Sequence, residues 1–257
     1  MFFQLWEYLR YFLKKENEHS IHSPYYFQCY LGLQAYLRQN KKGNRKLEDL
    51  RRSFLHEATR IGSRDYGAGS RWLGRGDRKV STVARRVISP LRTSLLYSYF
   101  CQLTPAANVL DLGTSLGINT GYLAKQVSGT LYSFEGDPNL LALASAHLGQ
   151  FPTIRLVPGN LDKTLENVVR RLDSIDFVLM DANHRFDPTM AYFRTIFPKL
   201  HESSIVVVAD IYWSRDMKRA WEQLKGWPGV SGSLDFFACG ILFFRPGSSS
   251  THLVLDV

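Results

Sequence analysis

The sequence predicts an α/β fold: a mostly parallel sheet with a C-terminal antiparallel hairpin, preceded by an α-helical N-terminal cap. Three observations carry that expectation. From about Ala107 onward, short apolar runs alternate with amphipathic stretches. Late in that region, two strand-like stretches follow one another with no helix between them. The first hundred residues lack this rhythm altogether.

The apolar runs cover residues 108–112, 130–134, 154–157, 176–180 and 204–209. Helical patterns follow them over 119–127, 138–148, 163–172, 188–200 and 213–224. Runs of Val, Ile and Leu, each followed by an amphipathic helix, describe parallel strands buried on both faces. Residues 233–238 and 240–245, around Cys239 and Gly240, read as an antiparallel hairpin closing one edge of the sheet. Most dinucleotide-binding domains end on a parallel strand instead.

In the N-terminal part, Phe2, Phe3, Leu5, Trp6, Leu9, Phe12 and Leu13 share one face at helical spacing, and Lys14, Lys15 and Glu16 end the pattern in charge. Further helices are expected over 25–38, 46–60 and 81–102, with a polar basic loop at 39–45. The expected organisation is a basic helical cap over 1–95 that covers the substrate, a catalytic domain over 96–247, and a tail over 248–257 that begins in a short flexible run. Packing on its own domain is the default for the aromatic first helix. A membrane surface and a second subunit, giving a homodimer, are its alternatives.

At 257 residues, 45% hydrophobic and 21% charged, the chain has the make-up of a soluble globular protein able to bury a full core. No apolar run reaches the length of a transmembrane helix, and the first residues lack a cleavage-site pattern. Cys29, Cys101 and Cys239 show no metal-ligand spacing and read as reduced thiols of a cytoplasmic protein. Charge is uneven. Residues 1–96 hold 19 Lys and Arg against 8 Asp and Glu, a net +11, and the remainder is slightly acidic. Such a segment suits an anionic substrate, a nucleic acid or a membrane surface, or is simply a solvated face.

The chemistry concentrates in Val109-Leu-Asp-Leu-Gly-Thr-Ser-Leu-Gly-Ile-Asn-Thr-Gly121. An apolar strand ends in Asp111, Gly113 turns the chain, and Gly117 opens a helix. The glycine spacing differs from the GxGxxG that holds a pyrophosphate on a helix end. An acid just before the loop suits a cationic ligand better than a phosphate. Glu135 follows 22 positions after Gly113, at the end of the next strand, where a carboxylate can accept two hydrogen bonds from ribose hydroxyls.

These segments resemble the first two motifs of class I S-adenosylmethionine-dependent methyltransferases. IDFVLMDANH and IVVVADIYWS resemble later strands of small-molecule O-methyltransferases of the catechol and macrolide-sugar type. The resemblance spans roughly residues 96–246. His22-Ser-Pro24 and Tyr66-Gly-Ala-Gly-Ser70 resemble the cap of uncharacterised methyltransferases from Bacteroidetes. The fold so implied is a Rossmann-like methyltransferase sheet. By the same resemblance Asp111, Gly113, Thr114, Ser115 and Gly117 hold the methionine end of S-adenosylmethionine, Glu135 and Gly136 the ribose, and Gly159 and Asn160 the adenine edge. Asp181 lines the same site. In metal-dependent relatives the acids matching Asp181 and Asp210 bind magnesium, but Ile211 stands where a third ligand is usual, so Mg2+ is only a possible cofactor here. His184, three residues past Asp181, takes the place of the catechol-type lysine base, and its titration range suits proton removal near neutrality.

The expected activity is O-methylation of a small or lipid-like acceptor, with RNA methylation through the basic cap and a non-catalytic cofactor-binding role as alternatives. RNA binding would bring steep salt dependence, and no RNA-binding module is recognisable. Loop capping is the plainer account of Asp181 and Asp210, but their place at the sheet's carboxyl edge, where ligands bind in open α/β folds, favours function; solvation is the plainer account of His184, and packing, rather than a wall of the acceptor pocket, that of Tyr212 and Trp213. A turn is the plainer account of residues 65–70. The basic run over 71–86 is read as a solvated face before a phosphate site.

Overall fold

The computed structural model describes residues 2–63, 76–246 and 251–257. The loop at 65–70 and most of the run at 247–251 lie outside the described residues, and of the basic run only its end from Gly76 onward is included.

Helices α1 (Phe2–Lys14), α2 (Pro24–Gln39) and α3 (Arg45–His56) come first. Two short strands follow, β1 (Arg60–Ser63) and β2 (Gly76–Lys79), then α4 (Val80–Val87) and α5 (Leu91–Gln102). The alternating region runs β3 (Asn108–Leu112), α6 (Ile118–Ala124), β4 (Thr130–Glu135), α7 (Pro138–Leu148), β5 (Ile154–Pro158), α8 (Leu161–Val169), β6 (Ile175–Met180), α9 (Phe186–Ile196), β7 (Leu200–Ala209) and α10 (Arg215–Lys225). It ends in β8 (Gly232–Asp235), β9 (Cys239–Phe243) and β10 (Thr251–Val254). Local chemistry explains where the helices begin. Asp137 caps α7 with Pro138 in its first turn, and Asn44, Asn160 and Ser214 accept amide hydrogen bonds at the starts of α3, α8 and α10.

The large sheet has the order β10-β8-β9-β7-β6-β3-β4-β5 among the described residues. β7, β6, β3, β4 and β5 are parallel neighbours, and β9 runs antiparallel to both β7 and β8. The chain order reverses between β3 and β6, which opens a crevice at the carboxyl ends of those strands. Alternate residues serve the two faces. Val109, Phe177, Leu179, Ile205 and Val207 join one core layer; Leu110, Leu112, Val178, Val206 and Val208 join the other. Helices α8, α9 and α10 cover the second layer.

The structure departs from the sequence reading in four places. The hairpin β8–β9 exists, but β10 pairs in parallel with β8 outside it, so the hairpin does not form the edge. The helix expected to reach Arg60 stops at His56, because Arg60 begins a strand paired with Lys79. Residues of the cap join the sheet's core: Tyr26, Tyr30 and Leu33 of α2 and Leu47 of α3 are buried in one cluster with Phe243 and Val207, so much of what the cap covers is the sheet itself. Lastly, the aromatic face of α1 does not pack on the body. Phe2, Leu5, Trp6, Leu9, Phe12 and Leu13 are exposed, while Glu7 and Tyr11 on the opposite side are buried.

Candidate active site

The crevice between β3 and β6 is shaped by Gly113. Its φ of +124° is open to glycine, and a Cβ there would lie 2.3 Å from the Asp181 carbonyl oxygen. The loop between β3 and α6 can therefore lie directly against the end of β6, and the Asp181 amide donates to the Leu112 carbonyl at 3.0 Å. Gly117 serves a different neighbour from the one its spacing suggests. With φ of +76°, it leaves room for His147 and Leu148 of α7, which a Cβ would meet at 2.8 and 2.9 Å.

Asp111 is fully buried. The β3–β4 register sets Ser133 beside it, and its Oδ2 accepts from Thr120 Oγ1 at 2.6 Å and from Ser133 Oγ at 2.7 Å. Thr114 Oγ1 continues this hydroxyl chain to Ser133 at 2.6 Å. Burial pushes the Asp111 carboxyl up to about 7, with the two hydroxyls opposing and the nearby Asp181 and Glu135 charges adding to it. Its Oδ1 has no partner among the described residues, and neither has Ser115 Oγ. Ser115 itself is held at a φ of +50°.

Glu135 closes this loop from β4. Its Oε2 accepts from the Ser115 amide at 2.7 Å and its Oε1 from the Asp137 amide at 2.8 Å. Burial raises its pKa, against those amide donors. Each oxygen keeps a second lone pair for a ligand hydroxyl. Gly136 sits in the turn between Glu135 and Asp137. Gly159, with φ of +112°, donates its amide to the Glu135 carbonyl at 2.9 Å and so lies at the same edge. The Asn160 side chain accepts from the Asp162 amide at 2.9 Å and is occupied in capping α8.

On the other side of the crevice, Asp181 and His184 follow β6 and Asp210 follows β7. His184 Nε2 lies 3.8 Å from Asp181 Oδ1 and 3.7 Å from Asp210 Oδ2. One ligand atom from each of the three fits within 4.8 Å of the others. Asn183, His184 and Asp210 all adopt positive φ, at +67°, +44° and +55°, and such strain gathers where a site fixes its side chains. Burial raises the Asp181 carboxyl, as does Asp210, while His184 opposes the rise. His184 Nδ1 has no hydrogen-bond partner among the described residues. The donor set of two carboxylates and one imidazole suits a divalent cation of mixed oxygen and nitrogen preference. Ile211 is fully buried in the core, so His184 stands where a third ligand would be needed.

The structure thus gathers Asp111, Gly113, Thr114, Ser115, Glu135, Gly136 and Gly159 on one side and Asp181, His184 and Asp210 on the other. Sequence reasoning passed over Asn119. Its Nδ2 reaches Asp181 Oδ2 at 3.5 Å and Ser89 Oγ at 3.1 Å, and its Oδ1 accepts from Ser94, which in turn holds Arg51 of α3. Its position two residues past Gly117 was the available signal. Tyr97, wholly enclosed, is near Asp111, Asp181 and Asp210, and burial raises its pKa well above the ordinary range.

Residues 110–211 match the model of a family described as a methyltransferase domain. Solved structures share this chain's fold. A Staphylococcus aureus protein provisionally named a caffeoyl-CoA O-methyltransferase is 16% identical, with 84% of this chain and 99% of that one covered and a TM-score of 0.59. The O-methyltransferase TomG of Streptomyces achromogenes, involved in tomaymycin synthesis and solved with SAM, is 19% identical over 62% of this chain and 82% of its own, at a TM-score of 0.52. An O-methyltransferase of Bacillus cereus solved with SAH is 17% identical over 63% and 84%, also at 0.52. No curated protein matches the sequence. The match to the methyltransferase domain begins inside β3 and ends at Ile211, so it spans both halves of the crevice.

Proposed function

We propose that the protein transfers a methyl group from S-adenosylmethionine to a hydroxyl of a small or lipid-like acceptor, with residues 96–247 as the catalytic unit. The observation that carries this reading is the placement of His184 between Asp181 and Asp210, directly across the Gly113 turn from the unpartnered Asp111 Oδ1 and Ser115 Oγ. The residues fit the cofactor. Buried spare acceptors suit an ammonium group, and Glu135 has lone pairs left for ribose hydroxyls. Asp111, Gly113, Thr114 and Ser115 would hold the methionine end, Glu135 and Gly136 the ribose, and Gly159 with Asn160 the adenine edge. S-adenosylmethionine, when bound, supplies an electrophilic methyl group on a positive sulfur.

The chain's own part is to orient and to move one proton. A hydroxyl becomes a competent nucleophile as it loses its proton, and His184 Nε2 is placed to take it. Asp181 and Asp210, both within 3.8 Å of that nitrogen, then stabilise the imidazolium. A divalent cation on Asp181, Asp210 and His184 would supply instead a lowered pKa at the acceptor oxygen.

A melting-temperature comparison with S-adenosylhomocysteine, NAD and NADP tests the cofactor, since a ligand at about a hundred times its Kd adds about 2.7 kcal/mol of stability. A shift with NAD and none with S-adenosylhomocysteine overturns the reading. Turnover on hydroxyl acceptors with and without EDTA then separates base from metal. Activity that survives full chelation and falls in His184→Gln supports the base.

A further inference from the structure

Asp235 is a buried carboxylate that the chemistry above does not use. It lies at the end of β8, and both of its oxygens are engaged by the loops around Asp210. Oδ2 accepts from the Tyr212 hydroxyl at 2.6 Å, and Oδ1 accepts from the Phe237 amide at 2.9 Å. Tyr212 belongs to the turn after β7, two residues past Asp210, and Phe237 belongs to the tip of the hairpin joining β8 to β9. Their rings lie nearly parallel, with centroids 5.3 Å apart at 24°. Tyr8 and Tyr11 of α1 also pack on Phe237, at 5.1 and 5.4 Å. The next carbonyl of the tip, that of Ala238, accepts from the Asp210 amide at 2.7 Å, and the Trp213 amide donates to the Asp210 carbonyl at 2.9 Å. Asp210 and Phe237 both hold positive φ, at +55° and +61°, which such residues adopt where surrounding contacts impose it.

We propose that Asp235 is a positioning residue: through Tyr212 and the hairpin tip it fixes the backbone of Asp210, and so the place of the Asp210 carboxylate beside His184. The Asp210 side chain is 45% exposed, and its Oδ2 lies 3.7 Å from His184 Nε2, too far for a hydrogen bond to hold it there. An aspartate side chain is short, so its oxygens go where the main chain sends them. That main chain is gripped from two directions, and both grips lead to Asp235. The Tyr212 hydroxyl ties down the turn that carries Asp210, and the Phe237 amide ties down the tip whose Ala238 carbonyl receives the Asp210 amide. A buried carboxylate is costly unless it is hydrogen-bonded. Stapling the hairpin alone would need only the Phe237 contact; Asp235 uses its second oxygen on the turn after β7. The inference rests on the reading of Asp210 as part of the chemical step, and it holds whether Asp210 steadies an imidazolium or a cation.

Tyr212→Phe in the full chain tests this, since it keeps the stacked ring and removes one hydroxyl. Hydrogen exchange at the Asp210 amide should speed up about tenfold or more, with the Val207 amide inside β7 unchanged. With catechol as the methyl acceptor, kcat should fall about tenfold while S-adenosylhomocysteine affinity stays within about twofold. The same substitution made in Asp210→Asn should cost nothing further, because a residue that acts through Asp210 has no effect once that carboxylate is gone. Asp235→Ala should lose at least as much as Tyr212→Phe. Asp235→Asn, whose amide oxygen can accept from Phe237 while its amino group donates to Tyr212, should recover most of it. Unchanged exchange or unchanged kcat in Tyr212→Phe overturns the proposal, as does a loss that persists in full in the Asp210→Asn background. A wild type that releases no S-adenosylhomocysteine counts against the methyl-transfer reading alone, and exchange at the Asp210 amide then decides whether Asp235 holds Asp210.

Discussion

Asp111 and Glu135, at the ends of β3 and β4, are held by the protein's own donors: two hydroxyls on one and two backbone amides on the other. Asp181 and Asp210, at the ends of β6 and β7, meet mainly His184, at distances too long for hydrogen bonds, and Asn119 touches only Asp181. The first pair belongs to a loop whose shape is complete before any ligand arrives, with single lone pairs left to offer. The second is an assembly of ionisable groups 3.7–3.8 Å apart, spaced to share a proton, a cation or a substrate hydroxyl. A preformed half suits an invariant ligand, and an underbonded half suits the chemical step.

Four substitutions test that contrast. Gly113→Ala should act on both halves at once, because its Cβ overlaps the Asp181 carbonyl at a φ that side chains avoid. A loss of about 3 kcal/mol or more in urea unfolding, with S-adenosylhomocysteine binding abolished, is expected. Wild-type stability would mean that the loop does not need to lie so close to β6. His184→Gln and Asp210→Asn should each lower kcat about a hundredfold or more while leaving S-adenosylhomocysteine affinity within about twofold. If calorimetry shows the loss in affinity instead, the two halves are not separate. Glu135→Ala should do the reverse, weakening S-adenosylhomocysteine about tenfold to a hundredfold with kcat at saturation nearly kept.

The pH-linked effect is the most specific. The Asp111 carboxyl titrates near 3.8 when exposed and at about 7 in the fold. Between those values the folded state holds the proton more tightly, so wild-type stability falls as pH rises from about 4 through about 7, then levels off. Asp111→Asn removes that slope. The variant should gain about 4 kcal/mol on the wild type at pH 8 relative to pH 4, read from urea unfolding at both. A difference independent of pH would show that Asp111 is ionised in the fold throughout.

Much of the fold was legible because parallel strands and amphipathic helices leave periodic marks. The reading of residues 108–112 and 138–148 coincides with β3 and α7, where an apolar run and an Asp-Pro cap announce themselves. β1 and β2 were missed because Arg60, Asp77, Arg78 and Lys79 carry no apolar alternation; their pairing rests on backbone hydrogen bonds. β10 was read as tail because four residues beyond a glycine-serine run give too short a pattern. At the site, the loop glycines and the acids at strand ends could be named from spacing. The hydroxyl chain of Thr114, Thr120 and Ser133 could not, since each is an ordinary residue until the β3–β4 register brings it to Asp111.

The sequence by itself determined the strand–glycine–helix unit at Gly113 and the existence of an apolar face on α1, because backbone freedom and helical period are local properties. Only the tertiary structure decided which way that face points. Periodicity defines a stripe, and the pairing of Glu7 with Lys218 and of Tyr11 with Leu255 turns it outward. Tertiary structure also joined His184 to Asp210, 26 positions apart, because the parallel pairing of β6 and β7 ends both strands at one edge. That proximity depends on register between distant segments, which no local pattern encodes.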